Sequence, residues 1–189
     1  VHVKFVVASG YNAFTFEQII YDVLDHYNLK TTYDVEVCRL DKYAHRYTNL
    51  LKKEHANLVY DWLGCPKLSP KDDPSVGQYI CVWTPWKNTR PVSKDKMPIN
   101  KDVFDSFLNG LDIPVKLVSY RGTIKETFDL IRNSKLCIGY EGIGQQIAYH
   151  YDKDLISLSN LVQVSKNTGG PESVVTNNLE TVRRWLNVY

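Results

Sequence analysis

The sequence predicts an α/β fold with parallel sheets, and three features predict it. Short apolar runs of strand type alternate along the chain with segments whose apolar residues recur at helical spacing. A proline- and glycine-rich stretch, "GCPKLSPKDDPSVG" from Gly64 to Gly77, splits that alternation into two series. Three glycines, Gly139, Gly142 and Gly144, gather where a strand-type run passes into a helix-type run. In α/β sheets such turns lie at the carboxyl ends of the strands, where ligands bind.

The first series reads as a strand at Val3 to Ala8, a helix from about Phe14 to Tyr27, a strand at Asp34 to Leu40 and a helix from about Tyr43 to Leu63. This is a small β-α-β-α lobe over residues 1–63, with only two clear strands. Residues 64–77 have the composition of a linker. The second lobe, residues 78–189, opens with a strand at Tyr79 to Thr84, a helix at Lys101 to Asn109 and a strand at Val115 to Ser119. A helix at Ile124 to Asn133 follows, with Thr123 and Glu126 in the T-x-x-E spacing of a capping box. Leu136 to Gly139 is the next strand, and Ile143, Ile147 and Tyr151 mark a helix by their spacing. A strand at Leu155 to Leu158 and a helix at about Asn178 to Leu186, capped by Asn177 or Asn178, complete the series.

A chain of 189 residues with 43% hydrophobic content can bury a proper core. No stretch approaches the roughly 18 to 20 apolar residues of a membrane span, and the first strand is followed by polar residues rather than a signal cleavage site. Cys38, Cys65, Cys81 and Cys137 are widely spaced and three of them fall in expected strands, so buried thiols in a reducing cytoplasm are expected, with neither disulfide nor metal site. The net charge of +2 does not by itself argue for nucleic acid.

Several enzyme classes drop out on motif grounds. The glycines are spaced G-x-x-G-x-G after a late strand, whereas a dinucleotide fingerprint needs G-x-G-x-x-G after the first. Neither G-x-x-x-x-G-K-[ST] nor G-x-S-x-G occurs, which removes the ordinary phosphate loop and the hydrolase elbow.

The ordered pattern from Tyr79 to Asn160 resembles the C-terminal, donor-binding lobe of GT-B glycosyltransferases, especially the ADP-heptose:lipopolysaccharide heptosyltransferase type. "YICVWTPWKN" resembles the first strand of that lobe and its loop, and "SKDKMP" the lysine-containing segment before the next helix. "FDSFLNGLDIPVKLVSY" resembles the helix and strand that follow, and "TFDLIRNSKLCIGYEGIGQQIAYHYDKDLISLSN" the family's helix, acidic turn and final strand. The family's turn usually reads D-[ST]-G-x-x-H-[LI]-A. This chain has Glu141 for the aspartate and Gln146 for the histidine, so the location carries over and the substrate does not. The resemblance implies a GT-B-like protein of two small Rossmann-like lobes with parallel sheets, the first lobe reduced. It further implies a transferase that moves a sugar from a nucleotide-sugar donor to a hydroxyl acceptor, with no other cofactor. A modified DNA base in a virus-infected cell is one acceptor compatible with the small size and 13 tyrosines.

Under that reading, the backbone from Gly142 through Ile143 and Gly144 to Gln145 receives the diphosphate at a helix N-terminus, and Glu141 accepts hydrogen bonds from sugar hydroxyls. Gln146 stands where the family has histidine. For each glycine taken singly, a tight turn or close packing is the alternative, and Glu141 equally suits a first-turn charge favoured by the helix dipole. Lys87, Arg90, Lys94 and Lys96 crowd the loop after Thr84; Lys94 or Lys96 can balance the charge of a leaving diphosphate, and a solvated basic loop is the bland alternative. Trp83 and Trp86 can stack on a base or sugar, although one of them belongs to the core. In glycosyltransferases of this shape the turn carrying Tyr120 and Arg121 approaches the nucleotide base. The base that activates the acceptor should come from the first lobe, where Asp41 and His45 are the nominees, and Asp41 also suits a helix cap. Asp152-Lys153-Asp154 has the form of a metal-binding D-x-D, but its place between a helix and a strand, away from the ligand rim, makes it a turn. Two rivals stand beside the transferase: a non-catalytic nucleotide or nucleotide-sugar binding module, and an interaction protein whose glycines only pack.

Overall fold

The computed structural model describes residues 2–7, 13–31, 34–39, 60, 63–68, 77–84, 99–119, 122–140, 143–158, 174–176 and 178–187. The chain divides into two compact units, Val1–Leu68 and Ser69–Tyr189. Both are mixed α/β with parallel strands, the arrangement of a Rossmann-like fold.

In the first unit, β1 (His2–Val7) and β2 (Asp34–Arg39) pair in parallel, in register from His2 opposite Asp34 to Val7 opposite Arg39. Parallel neighbours need a crossover, and α1 (Ala13–His26) supplies it. Ile19, Ile20, Val23 and Leu24 form its buried stripe. The Tyr27 hydroxyl donates to the Pro66 carbonyl at 2.5 Å and ties the end of α1 to the segment leaving the unit. Tyr60 and Leu63 are helical and buried; the rest of the helix expected from Tyr43 lies outside the described residues.

The second unit carries β3 (Ile80–Trp83), α2 (Lys101–Asn109), β4 (Val115–Leu117), α3 (Ile124–Arg132), β5 (Leu136–Gly139), α4 (Ile143–His150), β6 (Leu155–Leu158), β7 (Val174–Thr176) and α5 (Leu179–Leu186). Its five strands are all parallel, in the order β4-β3-β5-β6-β7. Side chains alternate across a strand, so Ile80, Val82, Leu136, Ile138, Ile156 and Leu158 share one face. There they pack with Phe104, Phe107 and Leu108 of α2 and Val182 and Leu186 of α5. Each such side chain, fully buried, stabilises the fold by roughly 1.5–3 kcal/mol. The opposite face meets α3 and α4, which pack on each other. The helices change face where strand addition reverses direction, as right-handed crossovers require.

Where an expected element lies among the described residues, observed and expected boundaries agree to within a residue or two. The elements the periodicity did not predict are a short 3-10 helix, Leu29–Thr31, and β7. Val174, Val175 and Thr176 are β-branched, yet three residues are too few to display an alternation.

Local caps start the helices. Asn100 Oδ1 accepts from the Asp102 N–H at 2.8 Å, and Asn178 Oδ1 accepts from the Glu180 N–H at 2.9 Å. At α3 the box is reciprocal: Thr123 Oγ1 accepts from the Glu126 N–H at 3.2 Å, and Glu126 Oε2 accepts from the Thr123 N–H at 2.6 Å. Thr123→Ala removes half of this pair and should lower the unfolding free energy by about 1 kcal/mol in urea titration, with the m-value unchanged.

Candidate functional site

Strand order places the site. From β3 the chain crosses to β4 on one side, while β5, on the other side of β3, leads on to β6 and β7. The connections leaving β3 and β5 therefore diverge to opposite faces, and in open α/β sheets this switch point, between the carboxyl ends of two strands, is where a ligand crevice forms. Trp83 ends β3 and Gly139 ends β5, opposite each other in the register. Gly139 and the start of α4, described from Ile143, lie at this switch point.

The glycines have a specific neighbour, the indole of Trp83. A Cβ on Gly139 would stand 2.0 Å from Trp83 Cε2, and one on Gly144 would stand 2.5 Å from Trp83 Cδ2. No side chain tolerates such distances, so both positions must lack a Cβ while the ring is there. The ring is 6% exposed, and its Nε1–H donates to the Tyr140 carbonyl at 2.7 Å. Of the two tryptophans flanking Pro85, Trp83 is the core residue; Trp86 lies outside the described residues. The alternative of close packing thus accounts for Gly139 and Gly144 without a ligand.

The helix that follows turns its polar residues inward. Gln145 is 3% exposed and its Nε2 donates to Ser157 Oγ of β6 at 3.1 Å, so its side chain is committed to the sheet. Gln146 is half-buried. Gly144 and Gln145 lie in the first turn with Ile143, where N–H groups have no intrahelical acceptor. One turn on from Gln145, the hydroxyl of Tyr149 is buried without a hydrogen-bond partner, and burial raises its pKa. Burial also pushes the Tyr140 hydroxyl up to about 12, so it is protonated at neutral pH.

Of the other residues the sequence singles out, Glu141, Gly142, Lys94, Lys96, Tyr120, Arg121, Asp41 and His45 lie outside the described residues, as do Lys87 and Arg90. Ser119 and Gly122, on either side of Tyr120 and Arg121, line the upper end of a groove of about 860 Å³ between the edge strand β4 and α3. Glu126 joins them at that end, and Tyr79, Lys116 and Asp129 also line the groove, with Lys116 Nζ 3.9 Å from the centroid of the Tyr79 ring. The groove runs along the sheet edge rather than over the crevice.

Asp152-Lys153-Asp154 forms the connection from α4 to β6, with Asp152 at φ 52°. Lys153 is 1% exposed and its Nζ donates to the Ser134 carbonyl at 2.6 Å, so the run is a structural turn. Cys65, Cys81 and Cys137 are free thiols. Cys81 and Cys137 face each other in the register, and their mutual hydrogen bond, with burial, pushes the Cys81 thiol well above its ordinary range. Among the described residues no helix is long and apolar enough to cross a membrane, and no cluster of three or more His, Cys, Asp or Glu side chains is placed to hold a metal. No protein-family model, curated protein or solved structure matches the chain significantly.

The notch around Trp83 can be tested directly. In a helix, alanine is favoured over glycine by about 1 kcal/mol, whereas forcing a methyl into a filled space costs about 1–3 kcal/mol. Gly144→Ala should therefore be less stable than the parent chain in urea unfolding, against the helix-propensity trend. A variant of equal or greater stability would mean that the ring does not occupy the notch.

Proposed function

We propose that this chain is a nucleotide-sugar-dependent glycosyltransferase of the GT-B type, whose second unit binds the donor at the crevice between β3 and β5. The observation that carries the reading is the reversal of strand order between these two strands, coincident with the start of α4. The first-turn amides of Ile143, Gly144 and Gln145 can receive a diphosphate, helped by the helix dipole. Lys94 and Lys96, on the loop that leaves β3, are the proposed counter-charges for the departing nucleotide diphosphate. Tyr120 and Arg121 are proposed to meet the base, Glu141 the sugar, and Asp41 or His45 to take the acceptor proton.

A second reading, a nucleotide-binding module without catalysis, is favoured by the small first unit, whose described residues form a sheet of two strands. Turnover separates the two readings, because only a transferase releases free nucleotide diphosphate from a nucleotide-sugar.

The donor site is tested with the full chain against UDP, ADP, GDP, CDP and dTDP. A binding diphosphate at about 100 times its dissociation constant should add roughly 2.7 kcal/mol of stability and shift the backbone amide resonances of Ile143, Gly144 and Gln145. Binding that leaves those three resonances in place would put the site elsewhere, and no binding by any of the five would end the nucleotide reading.

The basic loop is tested by Lys94→Ala with Lys96→Ala. Charge-assisted hydrogen bonds contribute about 1.5–3 kcal/mol each, so diphosphate affinity should fall by roughly tenfold or more while the melting temperature stays within a degree or two. Unchanged affinity in the double variant would make the loop ordinary solvated surface.

A further inference from the structure

Beneath α3 and α4 the sheet holds a cluster of reactive groups for which the proposed donor site has no use. Cys81 of β3 and Cys137 of β5 are partners in the parallel register and both are 0% exposed. Neighbouring strands lie about 4.8 Å apart, within the span of roughly 4.4–6.8 Å between the Cα atoms of disulfide-bonded cysteines. The two thiols are already in hydrogen-bond contact. Ser134 Oγ lies 3.4 Å from Cys137 Sγ, and the Lys153 ammonium, 1% exposed, donates to the Ser134 carbonyl at 2.6 Å.

These surroundings set the two sulfurs apart. Burial pushes the Cys137 thiol up, but the hydrogen bond it accepts from Cys81 and the nearby Lys153 ammonium outweigh burial and the Asp154 carboxylate, so the thiol sits below its ordinary range. Cys81 is the donor in their shared bond, and that bond and its burial keep it protonated. The thiolate is the nucleophilic form of cysteine, and a cation beside it favours that form.

We propose that Cys137 and Cys81 are a peroxide-reactive dithiol, Cys137 the attacking sulfur and Cys81 the resolving one, which closes reversibly to a disulfide between β3 and β5. In the first step Cys137 Sγ attacks hydrogen peroxide: an S–O bond forms, the O–O bond breaks, and the departing hydroxide takes up the proton that Cys137 has lost. In the second, Cys81 Sγ attacks the Cys137 sulfenic acid: the S–S bond forms, the S–O bond breaks, and the Cys81 proton leaves in water. The two thiols together lose two electrons, the peroxide gains them, and two waters result. A thiol reductant reverses the change. Hydrogen peroxide is little larger than water, so a local opening of α3 or α4 admits it while the rest of the sheet stays folded.

The test treats the full chain with hydrogen peroxide at several urea concentrations below the unfolding transition, then blocks remaining thiols with N-ethylmaleimide in denaturant. Mass spectrometry of the digested protein should show Cys81 linked to Cys137, two hydrogen atoms lighter than the separate thiol peptides and restored by dithiothreitol. The rate of linkage should rise with urea less steeply than global unfolding does. Cys81→Ala should leave Cys137 carrying oxygen, whereas Cys137→Ala should leave Cys81 an unmodified thiol. Recovery of both thiols from the treated wild type, linkage of either to Cys38 or Cys65, or oxygen on Cys137 without linkage overturns the proposal. Oxidation of Cys81 in Cys137→Ala also overturns it, as does a rate as steep in urea as global unfolding, which would put the reaction in the unfolded chain. Should the alanine variants not fold, the wild-type linkage and its urea dependence decide alone.

Discussion

The second unit is organised around one buried hydrogen bond, from the Trp83 indole to the Tyr140 carbonyl, made in a notch that exists because Gly139 and Gly144 have no side chains. The bond gives a partner to a carbonyl that lies just beyond the strand ladder. The ring then serves as the spacer between the end of β3, the end of β5 and the first turn of α4. A smaller residue at position 83 would leave a void at the crevice, and a larger residue at either glycine would push the helix off the sheet.

The same logic runs down that face of the sheet. On the side covered by α2 and α5 the strands present large aliphatic side chains, and the contact is one of apolar area. On the side covered by α3 and α4 they present Cys81, Cys137, Gly139 and Ser157, which are small or polar, beside the larger Trp83 and Leu155. Small residues let the helices approach closely, and polar ones demand partners when buried. Gln145 meets Ser157, Ser134 Oγ lies 3.4 Å from Cys137 Sγ, and Lys153 reaches the Ser134 carbonyl from the far end of α4. One face is therefore held by apolar burial, and the other by apolar burial with matched polar pairs set into it, where the loss of one partner leaves a buried group unmet.

These two kinds of contact explain what the sequence made legible. Strands and helices with strong patterns, such as Leu136–Gly139 and Lys101–Asn109, follow from periodicity within a single segment, and the capping box at Thr123 follows from a spacing of three. The partner of the glycines does not, because Trp83 is far away along the chain and no local pattern couples the two. Three glycines at a strand end look the same whether they admit a phosphate or an indole. Gln145 shows the same difficulty in another form: a polar residue at a helix start looks ligand-facing until the sheet behind it is known to offer the Ser157 hydroxyl. The β7 strand stayed hidden for a simpler reason, its length of three residues.

A filled notch also changes what the turn can contribute to recognition. In dinucleotide-binding turns, glycines let a pyrophosphate approach the backbone closely, so the ligand shapes the hollow it occupies. Here the hollow above Gly139 and Gly144 is already occupied, and the main chain at the start of α4 becomes a ledge of fixed direction. A ledge of amides distinguishes an anion from a neutral group but hardly one nucleotide from another, since main-chain N–H groups are the same whatever residue bears them. Discrimination among ligands must then come from side chains that leave the carboxyl ends of the neighbouring strands. Under the proposed function those are Lys94 and Lys96, Tyr120 and Arg121, and Glu141, which follow β3, β4 and β5 in the sequence. Under the proposed function that division gives anchoring to the start of α4, packed on Trp83, and selectivity to residues that follow the strands in the sequence.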